Sequence, residues 1–133
     1  YGSVFYARNA SESSEKIKLM LNNDMIAFER DKGRTRSIVN ILDYDNSHDL
    51  RLLAQKLCLR HTDLNYVNYN RYREYSDSYP FSLYGFRAIF FTSYLVDNTY
   101  HTINDTADNC NFGYCREIAG LNCAILVYSA WQP

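Results

Sequence analysis

The stretch from Ser37 to His61, SIVNILDYDNSHDLRLLAQKLCLRH, carries the clearest structural signals in the chain. Its β-branched beginning, up to Leu42, predicts a strand or an extended crossover. Asp45-Asn46-Ser47 can then begin a helix, because short polar side chains cap helix N-termini. Helical spacing places one set of side chains on a single buried stripe: Leu50, Leu53, Ala54, Leu57, Cys58 and His61.

The flanking sequence predicts two further helical or extended segments before this stretch. Val4 to Tyr6 is a candidate short strand. Ser11 to Asp31 predicts a helix, capped by serines and ended near Gly33, since glycine readily takes the left-handed cap. Its apolar face would contain Ile17, Met20, Leu21, Met25 and Phe28.

After the central stretch, the residues from 63 to 82 are polar and tyrosine-rich and predict an irregular segment. Phe86 to Val96 and Cys123 to Tyr128 predict two strands. The 133 residues lack a Pro/Gly/Ser-rich linker and predict one domain, 1–133. The predicted fold is α+β: two N-terminal helices packed on a small, mainly antiparallel sheet, with an α-β-α sandwich as its alternative form.

Charge and hydropathy exclude two classes of partner. The formal net charge of −1 gives no basic field for DNA. The longest apolar runs are strand-sized, well short of the ~18 residues of a membrane span.

Three features predict a secreted protein. The chain begins at Tyr1 rather than methionine, as a processed mature form or a trimmed chain would. Its four cysteines are an even number, and the triplets at Asn9 and Asn104 are N-glycosylation sequons.

The cysteine spacing favours disulfides over zinc. Structural zinc prefers paired ligands two to four residues apart, whereas Cys58 lies in a helix stripe and Cys123 begins an apolar run. No C-x-x-C redox pair is present. Three pairings of the cysteines are open, and we expect a staple between the second helix and the C-terminal sheet; its members are Cys58, Cys110, Cys115 and Cys123.

Tyrosine is the unusual component, with 13 in the chain. Arginine and tyrosine interleave after residue 65, a pattern found in single-stranded nucleic-acid sites and in protein interfaces. The slightly negative charge favours a protein-contact surface, formed by Tyr66, Tyr69, Arg71, Tyr72, Arg73 and Tyr75.

Enzymatic signals are few. G-x-S-x-G, H-E-x-x-H and glycine-rich phosphate loops are absent. If the chain is an enzyme, imidazole acid/base chemistry with a carboxylate is the candidate, using His61, His101, Glu74 and Glu117. No cofactor is expected.

Two motifs resemble the CAP superfamily of secreted cysteine-rich, antigen-5 and pathogenesis-related proteins. They are Leu42 to Asp45 followed by Leu52 to His61, and the C-x4-C-x7-C run from Cys110 to Cys123. The resemblance implies a secreted α-β-α sandwich with disulfides that binds proteins or lipids. Some members hold a divalent metal; of that ligand set only His61 and His101 have counterparts here, so no metal is predicted.

These observations predict a secreted, disulfide-stabilised interaction protein that acts through its Tyr/Arg-rich surface, not by catalysis. Its partner would be an extracellular protein or a further copy of the chain. Two alternatives are a small secreted hydrolase of ribonuclease type and a subunit of an extracellular filament or coat.

Overall fold

A computed structural model describes residues 2–29, 36–95 and 98–131. The helices are α1 (Gly2–Glu12), α2 (His48–His61), α3 (Ser78–Leu83) and α4 (Phe112–Trp131). The strands are β1 (Met20–Asn23), β2 (Ile38–Asp43), β3 (Asn65–Val67) and β4 (Ala88–Ser93). Two short 3-10 helices cover Arg73–Tyr75 and Ala107–Asn109.

The four strands form one mixed sheet in the order β1-β4-β2-β3. β1 runs parallel to β4, β2 runs parallel to β3, and β2 and β4 are antiparallel. The carboxyl ends of β1 and β4 therefore meet at one edge, beside the beginning of β2. The prediction of a mainly antiparallel sheet is wrong, although the α+β class is confirmed.

Side-chain alternation along β4 separates two apolar clusters. Ile89 and Phe91 pack with α2 and α4, whereas Ala88 packs with residues of α1 and α3. Because neighbouring strand residues point to opposite faces, helices lie on both sides of the sheet. No described helix is long and apolar enough to cross a membrane.

The central stretch folds as its pattern indicates. Ile38–Asp43 is a strand with four buried residues, and His48–His61 is a helix whose buried side includes Leu50 and Cys58. The strand predicted from Phe86 is confirmed over Ala88–Ser93; Val96 lies outside the described residues. His61 is exposed, contrary to the prediction, because it is the last residue of the helix.

The N-terminal predictions are wrong. Val4 to Tyr6 belong to α1, where Ala7 and Ala10, one helical turn apart, are buried. The helix predicted from Ser11 is absent: Met20–Asn23 is a strand that pairs with β4. Its expected end, residues 31–33, lies outside the described residues.

The strand predicted from Cys123 to Tyr128 is also wrong, because these residues belong to the helix α4. In α4 the buried residues recur at helical spacing, namely Tyr114, Ile118, Leu121, Asn122, Ile125 and Ser129. The run from Cys123 to Tyr128 is so apolar that it shows no period, and the choice between strand and helix is ambiguous in such runs. The packing of α4 against α2 and the sheet decides it.

The predicted disulfides are absent, since all four cysteines are free. Cys58 lies on the buried side of α2, whereas Cys123 lies on the exposed side of α4. Burial raises the pKa of the Cys58 thiol, which makes it a poor nucleophile for exchange. The core is therefore held by apolar packing and not by a staple.

Candidate functional site

Two adjoining cavities lie where β1 and β4 end. The larger cavity has a volume of about 440 Å³ and is lined by Asn40, Tyr69 and Thr92 among others. The smaller cavity, of about 340 Å³, is lined by Asp24, Tyr75, Ser76 and Phe90 among others. Both volumes fall within the range of small-molecule sites. Three residues line both cavities: Met25, Tyr72 and Tyr100.

The floor of the cavities comes from β4. Phe90 lines the smaller cavity and Thr92 the larger one, while the intervening Phe91 packs in the core on the opposite face. Thr92 stands beside Asn40 in the antiparallel register with β2. Alternation along these strands thus directs one set of side chains to the core and the other to the site.

The chain that leaves β1 is fixed by backbone hydrogen bonds. Asp24 N–H donates to the Phe91 carbonyl at 3.1 Å, and Ser93 N–H donates to the Met25 carbonyl at 3.2 Å. Asn111 N–H donates to the Ala27 carbonyl at 2.7 Å. This segment is consequently held between the end of β4 and the start of α4, with the exposed Asp24 at the smaller cavity.

Residues 69–76, here called the wall segment, form the opposite side of both cavities. The buried Asn40 side chain makes two hydrogen bonds to Tyr69, the first residue of the wall segment. Asn40 Nδ2 donates to the Tyr69 carbonyl at 3.0 Å, and Tyr69 N–H donates to Asn40 Oδ1 at 2.9 Å. Asn40 therefore supplies to Tyr69 the pair of hydrogen bonds that another strand residue would supply.

Tyr44 fixes the other end of the wall segment. Its buried hydroxyl donates to the Arg73 carbonyl at 3.0 Å and lies 2.7 Å from Ser76 Oγ and 2.9 Å from Ser78 Oγ. The Arg73 guanidinium lies over the Tyr44 ring at 5.3 Å. Burial raises the pKa of Tyr44, so the hydroxyl stays protonated and available as a donor.

Left-handed backbone is concentrated at this site. Four described non-glycine residues have positive φ, and two of them line both cavities: Met25 at 55° and Tyr72 at 69°. A third, His101 at 59°, directly follows Tyr100. Each such conformation costs about 1–3 kcal/mol and persists only where surrounding contacts enforce it. Such strain is typical of binding and catalytic sites.

The candidate metal donors at or near the site are Asp24 and Asp105, which line the cavities, and His101, which follows the lining residue Tyr100. The His101 ring stacks on the ring of Tyr100, a residue that lines both cavities, with 3.8 Å between centroids. Carboxylate and imidazole both bind zinc, but a catalytic zinc usually has three protein ligands. Within residues 2–29, 36–95 and 98–131, no three such donors come together. The described donors are therefore of the types that bind zinc, but fewer than three of them come together.

The structure brings most of the predicted contact residues to this site. Tyr69, Arg71 and Tyr72 line the larger cavity, and Tyr72 and Tyr75 line the smaller one. Tyr66 instead packs against the core. Arg73 is half-buried against Tyr44 and lies 3.8 Å from the Asp45 carboxylate. Their role as a binding surface stays a prediction.

The predicted acid/base residues are not gathered into one set. His61 ends α2, Glu74 is exposed in the 3-10 helix, and Glu117 accepts a hydrogen bond from Asp63 N–H at 3.2 Å. The hydrogen bonds and ion pairs of the described residues join no two of these side chains to each other or to His101. Of the four, His101 is placed beside the cavities.

Sequence reasoning missed Asp24, Met25, Asn40 and Tyr100 as parts of the site. The available signal was the polar run Asn22-Asn23-Asp24 directly after the apolar Met20-Leu21, which is typical of a strand that ends at a site. The helix predicted across this region concealed it. Asn9 lies half-buried on α1 and Asn104 is exposed; their glycosylation and a secreted location stay predictions.

The fold and the site together define an α+β domain with a ligand-sized cleft at the carboxyl ends of the parallel strands β1 and β4. Residues 1–126 match the sequence model of peptidase family M28, and the chain belongs to this family. The resemblance to the CAP superfamily is therefore wrong.

Solved structures with the same fold include aminopeptidases. LapB from Legionella pneumophila has a TM-score of 0.87 at 17% identity, covering 98% of this chain and 36% of its own. The LapA aminopeptidase of the same organism has a TM-score of 0.83 at 18% identity, covering 99% and 36%. An aminopeptidase from Aneurinibacillus sp. strain AM-1 has a TM-score of 0.74 at 23% identity, covering 96% and 30%. The chain thus spans about a third of these proteins. No curated protein sequence matches it.

Membership of a peptidase family overturns the functional predictions. An M28 chain is not a disulfide-stabilised interaction protein, and neither a ribonuclease-like hydrolase nor a filament subunit fits the match. The tyrosines that indicated a contact surface line a cleft instead. The expectations about an extracellular partner, self-assembly and DNA stay predictions.

Proposed function

We propose that this chain forms part of a peptidase of the aminopeptidase type and supplies the cleft that receives the N-terminal end of a peptide. The observation that carries the proposal is the pair of adjoining cavities beside Asp24 at the carboxyl ends of β1 and β4. The family match supports the reaction class, and LapA and the Aneurinibacillus protein are aminopeptidases.

The lining favours an apolar or aromatic side chain as the bound residue. Rings of Tyr72, Tyr75, Phe90 and Tyr100 surround the smaller cavity, and aromatic surfaces bury a large apolar area with little loss of side-chain freedom. The same lining disfavours an acidic side chain, because burying a carboxylate among apolar groups without a partner is costly.

Asp24 and His101 would be two ligands of a divalent metal ion, with at least one more donor from outside the described residues. Bound zinc supplies a hydroxide nucleophile at neutral pH and polarises the scissile carbonyl. The described serines that line the cavities offer no alternative: Ser76 is hydrogen-bonded to Tyr44 and Ser78, and Ser93 Oγ donates to the Met25 carbonyl, so neither is paired with a histidine. This chain's residues would thus hold the metal and the substrate side chain.

Hydrolysis of fluorogenic aminoacyl-coumarin amides tests the proposal. We expect the purified full-length protein, supplied with zinc, to release coumarin from leucyl and phenylalanyl substrates and not from glutamyl substrate. Asp24→Asn should lower kcat/KM about 100-fold or more, because even residues that only support metal ligands change activity by about 10–100-fold. Zinc content by mass spectrometry should fall in Asp24→Asn and His101→Ala.

Asp63→Asn is the matched control, since Asp63 is exposed in the turn after α2 and uses its backbone N–H for its contact. This variant should keep both activity and zinc. A wild-type protein that cleaves none of the substrates would contradict the proposed function. Full zinc content in Asp24→Asn would remove Asp24 from the ligand set.

A further inference from the structure

Tyr72 occupies a special position in the cleft. It lines both cavities, together with Met25 and Tyr100. The residue is 39% exposed and belongs to neither apolar core cluster, so it borders the open space of the cleft. It belongs to the boundary between a volume of about 440 Å³ and one of about 340 Å³.

Contacts on both sides hold this ring. The Arg71 guanidinium lies over it, 5.0 Å from the centroid, and Tyr75 meets it edge-on at 6.4 Å. The backbone is fixed as well: Arg71 N–H donates to the Tyr69 carbonyl at 2.8 Å, and Tyr75 N–H donates to the Tyr72 carbonyl at 3.0 Å. The ring position is therefore determined by the wall segment.

The left-handed backbone of Tyr72 sets the direction of the ring. At φ of 69° the side chain leaves the chain differently from its neighbours, and this conformation is unfavourable for a residue with a Cβ. The anchors at both ends of the wall segment, Asn40 at Tyr69 and Tyr44 at Arg73, hold the backbone in this state. A tyrosine is thus kept where glycine would be the easier residue.

We propose that Tyr72 is the specificity-determining residue of this cleft: its ring divides the two cavities and limits the size of the substrate side chain. The inference rests on the proposed peptidase function. With the ring present, a side chain bound in one cavity cannot extend into the other. Without it the cavities join, and a large side chain gains room and apolar contact that a smaller one does not use.

The test is the ratio of kcat/KM for tryptophanyl-coumarin amide to that for leucyl-coumarin amide. Tyr72→Ala should raise this ratio about tenfold, because differences of this size in an apolar pocket change kcat/KM by about 10–200-fold. Tyr72→Gly should raise it equally, and it fits the left-handed backbone if the alanine variant folds poorly. Tyr72→Phe keeps the ring and should keep the ratio.

Tyr128→Ala is the matched control, because Tyr128 is exposed on α4 and lines neither cavity. Its ratio should stay within about twofold of the wild type, a change below about 0.4 kcal/mol. If the wild type cleaves both substrates and Tyr72→Gly leaves the ratio unchanged, the inference is wrong while the peptidase function stands. If the wild type cleaves neither, the proposed function fails and the inference fails with it.

Discussion

Removing one oxygen atom from Tyr44 tests whether the wall segment is anchored as described. Tyr44→Phe keeps the buried ring and its contact with Arg73, but deletes the hydroxyl that lies within 3.0 Å of three partners. Tyr44 is only 3% exposed, so water cannot replace the lost hydrogen bonds without opening the core.

The expected cost follows from the partners left behind. Ser76 and Ser78 retain each other at 2.8 Å, and Ser76 Oγ still donates to the Arg73 carbonyl at 3.1 Å. The variant therefore loses net hydrogen-bond energy without leaving every partner unsatisfied. At about 0.5–1.5 kcal/mol for each hydrogen bond, the free energy of unfolding should fall by about 2 kcal/mol. For a chain of this size the melting temperature should fall by about 6–8 °C.

Urea denaturation followed by far-UV circular dichroism measures this change. Tyr128→Phe removes an exposed hydroxyl and should change stability by less than about 0.5 kcal/mol. In a double-mutant cycle, Tyr44→Phe and Ser78→Ala should be coupled by about 1 kcal/mol. A Tyr44→Phe variant as stable as the wild type would refute the hydrogen-bonded anchor.

Three other perturbations give further outcomes. Ser14→Gly removes a left-handed serine, at φ of 56°, from the exposed turn after α1 and should raise the free energy of unfolding by about 0.5–1 kcal/mol in urea titrations; a decrease would contradict this. Burial raises the pKa of Tyr114, so above about pH 10 the unfolded chain loses this proton while the native chain keeps it, and stability falls as pH rises. Urea titrations from pH 8 to 11 should show a shallower fall in Tyr114→Phe, and equal slopes would count against the buried phenol. An aromatic disulfide reagent should modify Cys58 only after the protein is denatured. In the denatured protein it should modify all four thiols without prior reduction, and any thiol that requires reduction would contradict the free-cysteine assignment.

The local pattern of apolar residues was sufficient to predict a helix or a strand where it has one clear period. The helix over His48–His61 follows from helical spacing after short capping residues, and its strand partner Ile38–Asp43 follows from β-branched content. Ala88–Ser93 was equally clear, since five of its six residues are buried and the run is strongly apolar. The α+β class follows from these elements.

Hydrophobic periodicity predicted the wrong element where strand pairing or burial depends on residues far away in the sequence. Met20–Asn23 is a strand only because it pairs with Ala88–Phe91, far away in the chain. Strands covered on both faces lose simple alternation, so the spacing of Met20, Leu21 and Met25 resembled a helix by coincidence. In α4 the apolar residues extend around the helix, including the exposed Val127, and no single face was readable.

The sequence by itself determined the central strand and helix and the α+β class. Tertiary structure decided the parallel pairing of β1 with β4, the free state of the cysteines, and the cleft. The physical reason is that Met25, Tyr72 and Tyr100 come from three separate stretches with no common period. They meet only because β1 and β4 end at the same edge and Asn40 and Tyr44 hold the wall segment against it.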